Sequence, residues 1–147
     1  MSKPQRKLAT ILATDCVNYS GMMENNEEET VIGIKACRNI IEDTIEEYGG
    51  RVFNTAGDSV IAEFSSPVDC VNAGIEFQKL ISDRNNNSPD NRKMEFRVGV
   101  HLDDVVIEGD DIFGGGVNIA ARLEGLCEPN CILISKTVHC LLYTSDA

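Results

Sequence analysis

Apolar and polar positions alternate between two periods along this chain, and the changes of period mark its elements. Leu8 to Ala13 (LATILA) is an apolar run of strand length, the pattern of a central strand covered on both faces, and it ends at Asp15. From Glu27 to Tyr48 the period becomes helical. Val31, Ile34, Cys37, Ile41, Ile45 and Tyr48 step by three or four and form one apolar face. Glu24, Glu27, Glu28 and Glu29 crowd the start of this helix, where its dipole favours negative charge, and Gly49-Gly50 stops it. Two β-rich runs then flank a Gly57-Asp58 step, a hairpin signal. Ser66-Pro67 opens a second helix that buries Cys70, Ala73, Phe77 and Leu80 or Ile81.

The stretch Asn85 to Asn91 reads as a polar loop. Met94 to Leu102 alternates as a strand, Asp103-Asp104 as a turn, and Val105 to Glu108 as its partner strand. Gly114-Gly115-Gly116 leads into a third helix, Val117 to Leu126. Asn118 and Arg122, four apart, share one face of it, and Ile119, Leu123 and Leu126 mark an apolar side. Cys131 to Ile134 is a last short strand, and Ser135 opens a short helix. The order is β-α-β-β-α-β-β-α-β. This α+β pattern predicts a ferredoxin-like βαββαβ core with an added hairpin strand and a C-terminal helix.

Composition narrows the function. With 147 residues the chain suffices for one domain with a core. A formal net charge of -11 argues against nucleic-acid or anionic-membrane binding through bulk charge, and any phosphate ligand would need a metal or local cations. No stretch is long and apolar enough to insert in a membrane. Six scattered cysteines without a C-x-x-C pair, and only two histidines, disfavour zinc and suit buried thiols in a reducing cytosol, so the expected location is cytoplasmic.

The candidate chemistry lies in two acids. In the predicted layout the first strand and the hairpin are neighbours, which brings Asp15 and Asp58 together at one sheet end. Two carboxylates with few histidines and no useful thiol geometry indicate a hard cation, Mg²⁺ or Mn²⁺. The short segment Cys16-Val17-Asn18-Tyr19-Ser20-Gly21 suits a tight loop or helix start whose N–H groups face an anion. Cys16 adjoins Asp15, so thiol modification there is expected to block the site.

Three motifs carry a resemblance: Ala13 to Ser20 (ATDCVNYS), Gly49 to Asp58 (GGRVFNTAGD) and Asp111 to Glu124 (DIFGGGVNIAARLE). In this order and spacing they resemble the class III nucleotidyl cyclase catalytic domain, the adenylate and guanylate cyclase family, from about Leu8 to Leu142. The bacterial type with this domain at the N-terminus of a longer chain is most similar, which implies further domains C-terminal to it. The resemblance implies that Asp15, Asp58 and the Cys16 backbone carbonyl hold two Mg²⁺ or Mn²⁺ ions. It implies that Val17, Asn18, Tyr19 and Ser20 cradle the outer phosphates, that Asn118 orients the ribose, and that Arg122 stabilises charge at the α-phosphorus. Asp111 would read the purine edge. The sites would form in a head-to-tail homodimer, with the metal acids from one chain and Asp111, Asn118 and Arg122 from the other.

Two positions depart from the family pattern. Asn54 stands where the family has an adenine-reading lysine; its amide can still donate to a purine ring nitrogen. Asp111 favours the adenine amine over the guanine carbonyl, so ATP is the expected substrate and 3′,5′-cyclic AMP the product. The family's triphosphate-binding lysine falls downstream of Leu142 and has no counterpart here, and Tyr143 to Ala147 fits no family strand. A truncated end with a foreign tail is therefore the expectation. The alternative is a nucleotide-sensing or dimerisation module of the same fold with little turnover. A diguanylate-forming cyclase ranks well below both, because its Gly-Gly-acidic signature is missing in matching form.

Overall fold

The computed structural model describes residues 5–145; side chains of Leu141 and Tyr143 to Ser145 are not described. Part of the basic start (Met1 to Pro4) and the last two residues of the suspected tail lie outside the described residues.

The long first strand β1 (Gln5–Cys16) is the spine. Of the apolar run Leu8 to Ala13, residues Ala9 to Ala13 are buried as predicted, whereas Leu8 is 61% exposed. After it come α1 (Tyr19–Asn25), α2 (Glu27–Glu47), the hairpin β2 (Arg51–Ala56) and β3 (Ser59–Phe64), and α3 (Pro67–Asn86). A single 3₁₀ turn at Asp90–Arg92 precedes β4 (Phe96–Glu108), β5 (Asp111–Phe113), α4 (Gly115–Leu126), β6 (Ile132–Ile134) and α5 (Lys136–Ser145). The sheet runs β2-β3-β1-β4-β5, with β6 added parallel to β4 and every other pair antiparallel. The first four strands reproduce the ferredoxin-like order.

Strand alternation gives the sheet two faces. Leu12, Cys16, Val60, Ala62, Phe64, Phe96, Val98 and Val100 point toward α2 and α3, whose Ile34, Cys37, Ile41, Ile45, Cys70, Ala73, Phe77 and Ile81 close the main core. Leu80 is 38% exposed, so Ile81 is the buried member of that pair. The opposite face carries Ala9, Ile11, Ala13, Val105 and Ile112 and is crossed by α4 through Ala120. α4 lies almost on the backbone of β4. A Cβ at Gly99 would stand 2.3 Å from the Ala120 carbonyl oxygen and 2.4 Å from the Glu124 nitrogen, so only glycine allows this approach.

Three expectations are corrected. Asp103-Asp104 is not a turn: β4 continues through it, pairing Asp103 with Ala9 and Asp104 with Leu8. The start of β1 needs a partner for its backbone groups, and β4 supplies it; the chain reverses instead at Gly109-Asp110 into β5. Asn85 belongs to α3 rather than to a loop. Its amide donates to the Met94 carbonyl at 2.7 Å and its oxygen accepts from the Met94 N–H at 3.0 Å, so this polar residue is buried and satisfied. On α4 the buried residues are Gly116, Ala120 and Glu124, whereas Leu126 is 77% exposed. Small residues face β4 because the helix sits so close to it.

Candidate active site

The β2–β3 turn places Asp58. Ala56 pairs with Ser59 across the two-residue loop Gly57-Asp58, and Gly57 has φ 59°, the positive value the first position of a tight hairpin turn requires. Arg38 of α2 donates to the Gly57 carbonyl and ties the turn down. The Asp58 carboxylate accepts from the backbone N–H of Cys16 at 2.9 Å, so it sits against the C-terminal end of β1. Burial pushes the Asp58 carboxyl above its ordinary value, while that N–H pulls the other way. The predicted juxtaposition of Asp15 and Asp58 at one sheet end is what the fold builds.

Asp15 is the neighbour of Arg97 across the β1–β4 ladder, on the α4 face. The guanidinium lies 3.2 Å from Asp15 Oδ1 through Nη2, and Nη2 is 3.7 Å from Glu124 Oε2. Glu124 is buried beneath α4 and hydrogen-bonded to Asp15. Burial first, then that hydrogen bond, pushes its carboxyl up to about 8, so it holds a proton at neutral pH. Neither Arg97 nor Glu124 stands out in the sequence reading. For Arg97 the available signal was one charge on the outward phase of the apolar alternation Phe96, Val98, Val100. For Glu124 it was the i, i+4 continuation of the small pair Gly116 and Ala120.

The arrangement suits a hard cation on the α4 face. Asp15 already attracts a cation, the Arg97 guanidinium, which reaches both of its carboxylate oxygens, and Asp58 offers a second carboxylate that accepts from the Cys16 N–H. Among the described residues no cluster of three or more His, Cys, Asp or Glu side chains is arranged to hold an ion. Mg²⁺ commonly takes one or two carboxylates and fills its remaining positions with water and substrate phosphate, so two aspartates and a carbonyl form a sufficient protein share.

Val17 and Asn18 lead from β1 into α1. Asn18 has φ 57° and caps no helix N–H with its side chain. The first turn of α1, at Tyr19 and Ser20, leaves N–H groups without intrahelical acceptors, as any helix start does. Cys16 itself is buried, and burial together with Asp58 pushes its thiol up to about 12. A thiol so protected is a poor nucleophile, which counts against the expected modification.

The remaining residues stand apart. Asn118 and Arg122 are exposed on α4. At about 100° per residue, Arg122 lies about 160° around the helix from Glu124 and Asn118 about 120° from it. They face away from the pocket in which Glu124 meets Asp15 and Arg97. Asn54 is exposed on β2 just past a bulge. Simple alternation from Val52, which packs toward α2 and α3, would turn Asn54 to that side too. The bulge at Phe53 pairs Asn54 with Ile61 instead and re-aims it to the α4 face. Asp111 is exposed at the start of β5. A groove of about 550 Å³ runs behind α1 and the start of α2 and reaches Val17 and Asn18, but Asp15, Asp58, Asn118 and Arg122 do not line it.

Two carboxylates meet at one end of a ferredoxin-like sheet, with the Arg97 guanidinium against Asp15 and the start of α1 beside them. The family is shown by comparison: the profile described as the adenylate and guanylate cyclase catalytic domain matches residues 1–147, and the chain belongs to that family. The putative adenylate cyclase 3 of Rhizobium meliloti (strain 1021) is 40% identical over 136 residues, covering 92% of this chain and 23% of that protein. The chain thus spans under a quarter of that relative's length. The adenylate/guanylate cyclase/hydrolase from Silicibacter pomeroyi superposes with a TM-score of 0.89 at 34% identity, over 97% of this chain and 84% of that one. The adenylyl cyclase CyaB from P. aeruginosa superposes at 0.85 with 24% identity over 97% and 84%, a likeness of fold. Among the described residues no helix is long and apolar enough to cross a membrane.

Proposed function

We propose that this domain is an adenylate cyclase, converting ATP to 3′,5′-cyclic AMP and pyrophosphate between two head-to-tail copies. The observation that carries the reading is the disposition of α4. Its buried side meets the acid site through Glu124, whereas Asn118 and Arg122 point outward. One chain cannot close both sets on a single nucleotide, but two chains paired about a two-fold axis can.

In this reading Asp15, Asp58 and the Cys16 carbonyl hold the two Mg²⁺ or Mn²⁺ ions. When bound, such ions lower the pKa of a coordinated hydroxyl and brace the triphosphate. This chain's residues do the rest. The backbone from Val17 to Ser20 receives the outer phosphates through N–H groups beyond Val17, whose own N–H donates to the Glu95 carbonyl at 2.8 Å. Arg97, beside Asp15, supplies a local cation for phosphate oxygens. From the partner copy, Asn118 orients the ribose and Arg122 neutralises charge gathering on the α-phosphoryl in the transition state. Asp111 accepts from the adenine amine, and Asn54 donates to a ring nitrogen. The relatives named as adenylate cyclases support this nucleotide choice.

A second reading, a nucleotide-sensing module with little turnover, is favoured by one feature: Arg97 already neutralises Asp15. Product analysis separates the two. The chain is incubated with ATP or GTP and Mn²⁺ over a range of protein concentrations, and products are resolved by mass. Cyclic AMP rising faster than linearly with protein supports the dimeric cyclase. ATP binding without product supports the sensor. Cyclic GMP in excess of cyclic AMP rejects the base assignment.

A further inference from the structure

We propose that Arg51 is a positioning residue that sets base selectivity, by locking the strand that carries Asn54 to the turn that carries Asp111. The inference rests on the reading that Asn54 and Asp111 face the purine, and it adds the element that holds them to one another.

Glu63 of β3 is only 7% exposed on the α4 face, beside Ile11 in the ladder. A carboxylate in such a place persists only when paired. Lys7 Nζ lies 3.2 Å from its Oε2, and Arg51 places Nε and Nη2 each 2.9 Å from its Oε1. The third nitrogen of the guanidinium is turned elsewhere: Nη1 donates to the Asp110 carbonyl at 3.2 Å. Asp110 belongs to the β4–β5 turn, and Asp111 follows it directly. β2 and β5 are the two ends of the strand order, yet they lie against each other, and this hydrogen bond joins them.

β5 has three residues and, among the described residues, pairs only with β4, so the turn has little ladder to hold it. On the other side, Arg51 sits three residues before Asn54, ahead of the bulge that re-aims it. A single planar fork therefore anchors both base-facing positions to the same buried carboxylate. Lysine cannot reproduce this, because it offers one point charge and not a fork that spans two acceptors.

The test compares Arg51→Lys and Arg51→Ala with the unaltered chain. Initial rates are measured with ATP and GTP in Mn²⁺, together with amide hydrogen exchange. Arg51→Lys keeps a cation on Glu63, and Lys7 remains, so its thermal midpoint is expected to stay near that of the unaltered chain. Its ATP:GTP ratio of kcat/KM is expected to fall roughly tenfold, the size of one weakened hydrogen bond. The fall should come mainly through KM for ATP, with faster exchange at residues 109–113. Arg51→Ala should show the same changes with a lower midpoint. In an Asp111→Ala background, Arg51→Lys should change the ratio less than it does alone, since part of its effect runs through Asp111. A ratio within twofold of the unaltered chain overturns the proposal, as does an additive double variant. If the unaltered chain turns over neither nucleotide, the cyclase reading has failed. The same comparison made by calorimetric ATP and GTP binding then judges Arg51. If neither binds, the selectivity claim falls with that reading, and unchanged exchange at 109–113 would overturn the tie itself.

Discussion

Gly99→Ala is the sharpest test of how α4 is seated. The added Cβ would stand 2.3 Å from the Ala120 carbonyl oxygen and 2.4 Å from the Glu124 nitrogen, against 3.4 Å or more for ordinary contact. Both obstacles are backbone, so no side-chain rotation relieves them, and α4 must lift by about 1 Å to restore contact at normal distances. Overpacking of this kind costs about 1–3 kcal/mol. For a chain of this size that is a fall of roughly 3–9 °C in Tm. The lift carries Asn118 and Arg122 away from where a partner's nucleotide would sit, and a displacement of about 1 Å can cost about 100-fold in rate. Thermal unfolding, amide exchange along α4 and cyclase initial rates read the three consequences separately. A variant with Tm within about 1 °C of the parent and unaltered exchange in α4 would falsify the close-approach argument.

Three further predictions follow from the site. Asp58→Asn keeps an oxygen to accept the Cys16 N–H, so the fold should survive, whereas turnover should drop by at least about 100-fold, the scale of a lost charge-stabilising group; undiminished Mn²⁺ binding by calorimetry would remove Asp58 from the metal assignment. Asp58→Asn and Arg122→Ala should each be inactive alone but regain about a quarter of parental activity when mixed in equal amounts, since half the dimers are mixed and each holds one intact site; failure to complement would argue against shared sites. In metal-free buffer, Glu124 is protonated in the folded chain up to about pH 8, well above its ordinary value. The folded state therefore holds an extra proton between these values, and stability should fall as pH rises through that window. Denaturant titrations from pH 5 to 8.5 should show that slope, and Glu124→Gln should flatten it; an unchanged slope would mean that Glu124 ionises normally.

Much of this protein is legible in local pattern. The apolar run to Ala13, the helical period from Glu27, the Gly57-Asp58 turn and the Ser66-Pro67 helix start each follow from forces acting within a few residues, and the element order they imply already places Asp15 beside Asp58. What escaped local reading depends on pairing between distant segments. Asp103-Asp104 has turn composition, yet the open backbone of β1 draws it into a ladder. Alternation turns Asn54 toward α2 and α3, and only the offset between β2 and β3 rotates it to the α4 face. Leu126 satisfies an apolar period and stays exposed, because Gly99 lets α4 settle on its small residues instead. Arg97, Glu124 and the Glu63–Arg51–Asp110 link are contacts across strands far apart in sequence. Hydrophobic period and turn chemistry choose the elements, whereas strand register and the depth at which a helix can seat decide which charges meet.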